Sequence, residues 1–264
     1  MTIARNEIDT ARGRMSWLEA GAGWPLVLLH AFPLTADMWL PQLERVPDEW
    51  RFVAPHFRSF GSTGSATIDD YALDVAALLD ALELDTAVIG GLSMGGYVTF
   101  TLFRQAATMF SGMILADTRP QADTPQVRDG RVRMKQLLAR DGVTAIADQM
   151  IPRLLGERTL AERPDVVRRV RAIIESNPPQ AIDAALDAMM MRPDSTPDLA
   201  GISCATLIIV GEQDTVTPVA EAKAMHDAIG RSALVTLPDA GHLSNLDQPE
   251  AFSRAVVYFL LSHL

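Results

Sequence analysis

Short apolar runs alternate along most of this chain with longer stretches in which an apolar residue returns every third or fourth position. The runs Met15 to Glu19, Leu26 to Leu29, Phe52 to Pro55, Ala87 to Gly90, Met113 to Ala116, Thr206 to Val210 and Ala233 to Leu237 read as strands. The longer period predicts helices over Asp69 to Leu82, Met94 to Ala107, Pro218 to Ile229 and Pro249 to Leu261. Strands that are apolar at nearly every position belong in a sheet covered on both faces. The pattern therefore predicts an α/β architecture with a mostly parallel central sheet flanked by helices.

Between Gln121 and Ser195 the alternation stops. This segment holds no convincing buried strand, only amphipathic helical stretches punctuated by Pro152, Pro164, Pro178, Pro179 and Pro193. It is expected to be a helical cap, residues 121–195, inserted into a core made of residues 1–120 and 196–264. Met150, Met189, Met190 and Met191 fall inside it. Methionine adapts to irregular apolar space, so these side chains either fill the cap interior or, for Met150, Met189 and Met190, line an acyl pocket beneath it.

Composition changes this picture only at its edges. A chain of 264 residues suits one sizeable domain with an insertion. Lys and Arg number 23 against 33 Asp and Glu, a formal net charge of -10 that argues against a nucleic-acid partner. Basic residues concentrate mildly over Arg128 to Lys135 and Arg163 to Arg171; the second group, interleaved with Val166, Val167 and Val170, reads as a solvated helix face. Cys204 is the only cysteine, which excludes an internal disulfide and a thiolate metal cluster. Met1 to Glu7 has no signal-peptide apolar core, and no later run approaches a membrane span. A soluble cytoplasmic protein is expected, a monomer or small homo-oligomer with no membrane partner.

The candidate chemistry begins at Gly91-Leu92-Ser93-Met94-Gly95, between the run Thr86 to Gly90 and a helical pattern. A Gly-x-Ser-x-Gly turn between strand and helix lifts the serine hydroxyl above the sheet edge, which makes Ser93 the candidate nucleophile. The pentapeptide alone arises by chance in roughly one chain in ten of this size, so its weight depends on the residues placed after later strands. A serine hydroxyl needs a base, and the base an orienting acid. Asp214 stands just beyond the run Thr206 to Val210, and His242 beyond the run ending at Leu237. The order Ser, Asp, His places each residue after a strand, at one edge of a parallel sheet. Asp117 and Asp239 compete with Asp214 for the acid. Acyl transfer also needs donors for the developing oxyanion. The backbone N–H groups of Met94 and Phe32 are the candidates, because Pro33 has none to offer; His30 is expected to fix the shape of that loop.

Gly-Leu-Ser-Met-Gly-Gly-Tyr, Gly-Glu-Gln-Asp-Thr-Val-Thr-Pro and Ala-Gly-His-Leu-Ser-Asn-Leu-Asp-Gln-Pro-Glu resemble segments of the α/β-hydrolase superfamily. Within it the chain resembles bacterial carboxylesterases close to the 3-oxoadipate enol-lactonases. Ala116 to Arg119 and Arg192 to Thr196 carry part of that likeness. The resemblance implies hydrolysis through a serine acyl-enzyme, with no cofactor and no metal. Ala31 replaces a glycine usual in the family, and His56 and Ser59 replace an acid and a glycine in a structural loop.

Three functions emerge as expectations. The first is hydrolysis of short-acyl esters, with neutral acetyl to hexanoyl esters favoured. The second is an enol-lactonase with the same triad, which needs a cation for the lactone's carboxylate; Arg119 and Arg192 are its candidates, although both also suit binding of cap to core. The third is a non-catalytic ligand-binding scaffold. Serine at the nucleophile position argues against a haloalkane dehalogenase and leaves perhydrolysis open as a side reaction.

Overall fold

In the computed structural model, which describes residues 2–58 and 66–262, eight strands form one sheet. They are β1 (Ala4–Thr10), β2 (Gly13–Gly21), β3 (Trp24–Leu29), β4 (Trp50–Pro55), β5 (Ala87–Leu92), β6 (Phe110–Ala116), β7 (Ala205–Gly211) and β8 (Ser232–Leu237). Their spatial order is β1-β2-β4-β3-β5-β6-β7-β8. The β1/β2 and β2/β4 pairs are antiparallel, and the others are parallel. Seven strands contain the runs expected from sequence, and β1 has no such run. It is an edge strand whose residues are all exposed or half-buried, so it carries little apolar signal.

The helices are α1 (Leu40–Leu43), α2 (Ile68–Ala81), α3 (Met94–Ala106), α4 (Pro125–Leu154), α5 (Glu157–Glu162), α6 (Pro164–Glu175), α7 (Pro179–Met191), α8 (Val219–Ala228), α9 (Ser244–Asp247) and α10 (Pro249–Ser262). Alternate residues of each central strand point to opposite faces, and both faces are buried. Val27, Leu29, Ile89, Leu115 and Ile208 pack towards Tyr71, Leu78, Val98 and Leu102 of α2 and α3. Leu26, Leu28, Val88, Ile114 and Ile209 pack on the other side with Trp39, Phe252, Val256 and Phe259. This double covering is why the strands read as continuous apolar runs.

Helices α4 to α7 occupy the chain between β6 and β7, with Pro125, Pro164 and Pro179 opening α4, α6 and α7. The first helical position needs no N–H partner, so these prolines start helices rather than break them. Within α4 the backbone turns at Gly142, with φ 78° and ψ −172°. Only glycine adopts that conformation readily. The turn brings both halves of α4 to one cavity. No helix of the described residues is long and apolar enough to cross a membrane.

Candidate active site

Parallel pairing aligns the carboxyl ends of β3, β5, β6, β7 and β8 at one edge, and the loops leaving them carry Phe32, Ser93, Asp117, Asp214 and His242. Ser93 occupies the sharp turn from β5 into α3, with φ 56° and ψ −113°. Such a backbone costs about 1–3 kcal/mol and must be held by its surroundings. The Ser93 N–H donates to Ala116 O at 3.0 Å, and its carbonyl accepts from Gly96 N at 2.9 Å and Thr118 Oγ1 at 2.8 Å. The close crossing of α3 over β3 requires glycine: a Cβ on Gly95 would stand 2.3 Å from the Leu29 carbonyl oxygen.

His242 Nε2 lies 2.8 Å from Ser93 Oγ, and His242 Nδ1 lies 2.8 Å from Asp214 Oδ2. All three residues are buried. Asp214 Oδ2 also accepts from Thr217 Oγ1 at 2.6 Å, while Oδ1 accepts from Val216 N at 2.7 Å and Thr217 N at 2.9 Å. Burial pushes the Asp214 carboxyl up, but the attraction of His242 and the hydrogen bonds from His242 and Thr217 outweigh it and hold the carboxyl below its ordinary value. With Nδ1–H donated to this carboxylate, Nε2 is left to accept from the serine.

The two other candidate acids make different contacts. Asp117 is buried and accepts from Gly211 N at 2.8 Å and from the Ser244 hydroxyl, so it bridges the loops that carry Asp214 and His242. Burial, reinforced by the nearby Asp214 charge, raises its carboxyl well above the ordinary range. Asp239 is half-exposed, with Arg158 3.9 Å away. A third carboxyl, Asp247, carries no signal in the sequence. Its Oδ2 accepts from Gly241 N at 2.7 Å and Gly156 N at 2.9 Å, joining the histidine loop to the turn between α4 and α5.

Met94 is the first residue of α3, where a backbone N–H has no acceptor within the helix. Phe32 lines the cavity above Ser93. The loop carrying Phe32 is fixed from outside: Asn177 Nδ2 donates to Pro33 O at 2.8 Å, and Ala31 N donates to Met38 Sδ at 3.2 Å. His30 is buried and neutral, pushed down to about 3 by desolvation, and its Nε2 accepts from Phe57 N at 3.1 Å. Of the family departures, Ala31 sits in the core, His56 is half-buried, and Ser59 lies outside the described residues.

Ser93 and His242 open into a cavity of about 510 Å3, within the range common for small-molecule sites. Of the side chains expected there, Met150, Met189 and Arg119 line it. Met190 and Arg192 do not. Met190 is half-buried, turned away from the cavity that its neighbour Met189 meets. Arg192 is buried behind the wall, its guanidinium 4.0 Å from the Tyr97 ring centroid and bonded to Asp123 Oδ1 at 2.5 Å, Gln121 O at 2.7 Å and Met189 O at 2.9 Å. Its bonds to Asp123 and to the backbone carbonyls of Gln121 and Met189 hold it in the wall, away from the cavity. Arg131, Arg133 and Arg153 also line the cavity, which sequence reasoning missed. For the first two, the mild basic run Arg128 to Lys135 is the signal in the sequence; Arg153 has none.

Residues 26–255 match the alpha/beta hydrolase family. The chain belongs to that family. This alpha/beta hydrolase is 29% identical over 235 residues to 3-oxoadipate enol-lactonase 2 of Acinetobacter baylyi, an alignment covering 88% of this chain and 86% of that protein. It superposes on a thermophilic esterase from Thermogutta terrifontis, solved with malate bound, with a TM-score of 0.93, 39% identity and coverage of 99% of this chain and 100% of the esterase. The enol-lactonase from Burkholderia xenovorans LB400 superposes with a TM-score of 0.89 and 25% identity, covering 97% of this chain and 100% of the lactonase. Esterases and enol-lactonases thus share its fold throughout.

Proposed function

We propose that this alpha/beta hydrolase cleaves small carboxylic esters through a Ser93 acyl-enzyme, with His242 as base and Asp214 as its orienting acid. The observation that carries the reading is the continuous chain from Ser93 Oγ through His242 to Asp214, each link 2.8 Å, at the floor of a cavity. His242 Nε2 takes the hydroxyl proton as Ser93 Oγ attacks the ester carbonyl, and Asp214 stabilises the resulting imidazolium. The N–H groups of Phe32 and Met94 receive the oxyanion. His242 then returns the proton to the departing alcohol oxygen as the carbonyl carbon–oxygen bond breaks. Water repeats the sequence to release the acid and restore Ser93.

Helices α4 to α7 act as a cap that bounds acyl length. Hydrogen bonds support this reading, because the cap grips both catalytic loops: Leu243 N donates to Leu154 O at 2.8 Å, and Glu157 N donates to Gln213 Oε1 at 2.9 Å. Lactone opening uses the same groups, since a lactone is an ester whose alcohol stays attached to the acyl part. The enol-lactonase relatives favour retaining that reading beside the first.

A fluorophosphonate probe with subsequent peptide mapping tests the proposal. The adduct is expected on Ser93 alone, with labelling slowed sharply in His242→Ala and p-nitrophenyl acetate turnover abolished in Ser93→Ala. An adduct on another serine, or full turnover by Ser93→Ala, would overturn it.

A further inference from the structure

The cavity above Ser93 has a lopsided charge. Arg119, Arg131, Arg133 and Arg153 line it, and among the described residues no Asp or Glu does, in a chain whose net charge is -10. A guanidinium stays protonated throughout the working pH range, so these are fixed positive charges.

Their partners do not neutralise them. Behind the wall, the single carboxylate of Asp123 meets Arg131 Nε at 2.5 Å, Arg192 Nη1 at 2.5 Å and Arg119 Nη2 at 3.7 Å. Burial pushes Asp123 up, but Arg131 and Arg192 outweigh it and hold the carboxyl below its ordinary value, so it carries one negative charge against three positive ones. Arg131 and Arg192 hold the short contacts. Arg119 is left with the long one; its Nε, like that of Arg192, is buried without a hydrogen-bond partner, but 19% of its side chain is exposed, against 2% for Arg192. Arg133 and Arg153 are exposed at the cavity mouth, on opposite sides of the Gly142 turn, and have no ion-pair partner among the described residues.

A neutral acyl slot would not gather unmatched guanidiniums around a reacting serine. We infer that the natural substrate carries a carboxylate in addition to its ester or lactone carbonyl, and that Arg119 receives it while Arg133 and Arg153 draw it to the mouth. This inference rests on the serine hydrolase reading and reverses the preference for neutral esters expected from the sequence. A planar carboxylate suits the forked donors of a guanidinium, and a cleft with one sign of charge concentrates the oppositely charged ligand. Where the charge lies on the acyl part, hydrolysis yields a dicarboxylate, which competes for the same arginine.

Two matched pairs test the charge itself. p-Nitrophenyl hydrogen glutarate against p-nitrophenyl pentanoate varies it on the acyl side. 4-Acetoxybenzoate against its methyl ester varies it on the alcohol side. After division by each ester's hydroxide-catalysed rate, the anionic member of at least one pair is expected to have a kcat/KM at least tenfold higher. That ratio should shrink with added salt and fall at least fivefold in Arg119→Met. The exposed pair Arg133→Met and Arg153→Met, made together, should lower it as well. Arg140→Met changes the net charge equally but lies outside the cavity beside Asp141, and should leave the ratio unchanged. Glutarate binding to Ser93→Ala, read by calorimetry, separates this inference from the catalytic one: it should persist there and weaken at least fivefold in Arg119→Met. Equal or better use of the neutral member in both pairs would overturn the inference, as would a ratio indifferent to Arg119→Met and to the Arg133→Met, Arg153→Met pair.

Discussion

Replacing Asp214 by Asn tests the acid with little change of shape, and the surrounding hydrogen bonds dictate how the amide must sit. Oδ1 accepts from the N–H groups of Val216 and Thr217, so the amide oxygen of Asn must take that position. Its NH2 then replaces Oδ2, facing Thr217 Oγ1 at 2.6 Å and His242 Nδ1 at 2.8 Å. The threonine hydroxyl can turn from donor to acceptor, so folding is preserved. His242 cannot keep Nδ1–H against an amide donor; its proton moves to Nε2, which then points N–H at Ser93 Oγ and no longer serves as a base. The imidazolium also loses its counter-charge. A wrong tautomer of this kind costs about 10^4 in kcat, which corresponds to about 5.4 kcal/mol of transition-state stabilisation at 1.36 kcal/mol per tenfold. The expected result is a kcat lowered by about three to four orders of magnitude, with KM changed far less and a melting temperature within a few degrees of wild type. Initial rates on p-nitrophenyl acetate with parallel calorimetry measure both. A loss below tenfold in a variant of unchanged stability would show that another group orients His242, and a larger loss in Asp117→Asn would reassign the acid.

Asp117→Asn should cost activity less than tenfold and become more stable relative to wild type as pH rises. A carboxyl whose folded value lies above the ordinary 3.8 contributes stability below that value and loses it as pH climbs through the folded one, whereas an amide loses nothing; melting curves from pH 4 to 9 that ran parallel would refute this. Asp247→Ala leaves the buried N–H groups of Gly156 and Gly241 without their acceptor, at about 1–3 kcal/mol each. Urea unfolding should show a loss of about 2–6 kcal/mol by that reckoning, and a loss under 1 kcal/mol would contradict it. Gly142→Ala meets open space but a backbone closed to L residues, so it should cost about 1–3 kcal/mol by calorimetry, and an unchanged variant would show that the turn relaxes freely.

The order of most elements and the placement of Ser93, Asp214 and His242 at one sheet edge were legible in the sequence because their causes are local. Strands buried on both faces must be apolar at successive positions, which exposes Leu26 to Leu29 and Thr206 to Val210 to simple inspection. A Gly-rich turn after such a run, with Asp214 and His242 after later runs, needs only parallel pairing to bring three distant residues to one edge. The antiparallel edge strand β1 escaped because a strand with little buried surface has no apolar pattern to display.

What surrounds Ser93 was decided in three dimensions. Met189 and Met190 are identical side chains about 100° apart on one helix, and only the docking of α7 chooses which meets the cavity. Arg119 and Arg192 were equal candidates as cations until the position of Asp123 held Arg192 behind the wall at 2.5 Å and left Arg119, at 3.7 Å, facing in. Arg133 and Arg153 share the mouth because the backbone turns at Gly142. Sequence determined which groups exist and in what order they leave the sheet. Which charges remain unmatched is a sum over neighbours distant in the chain, and tertiary structure alone sets that sum.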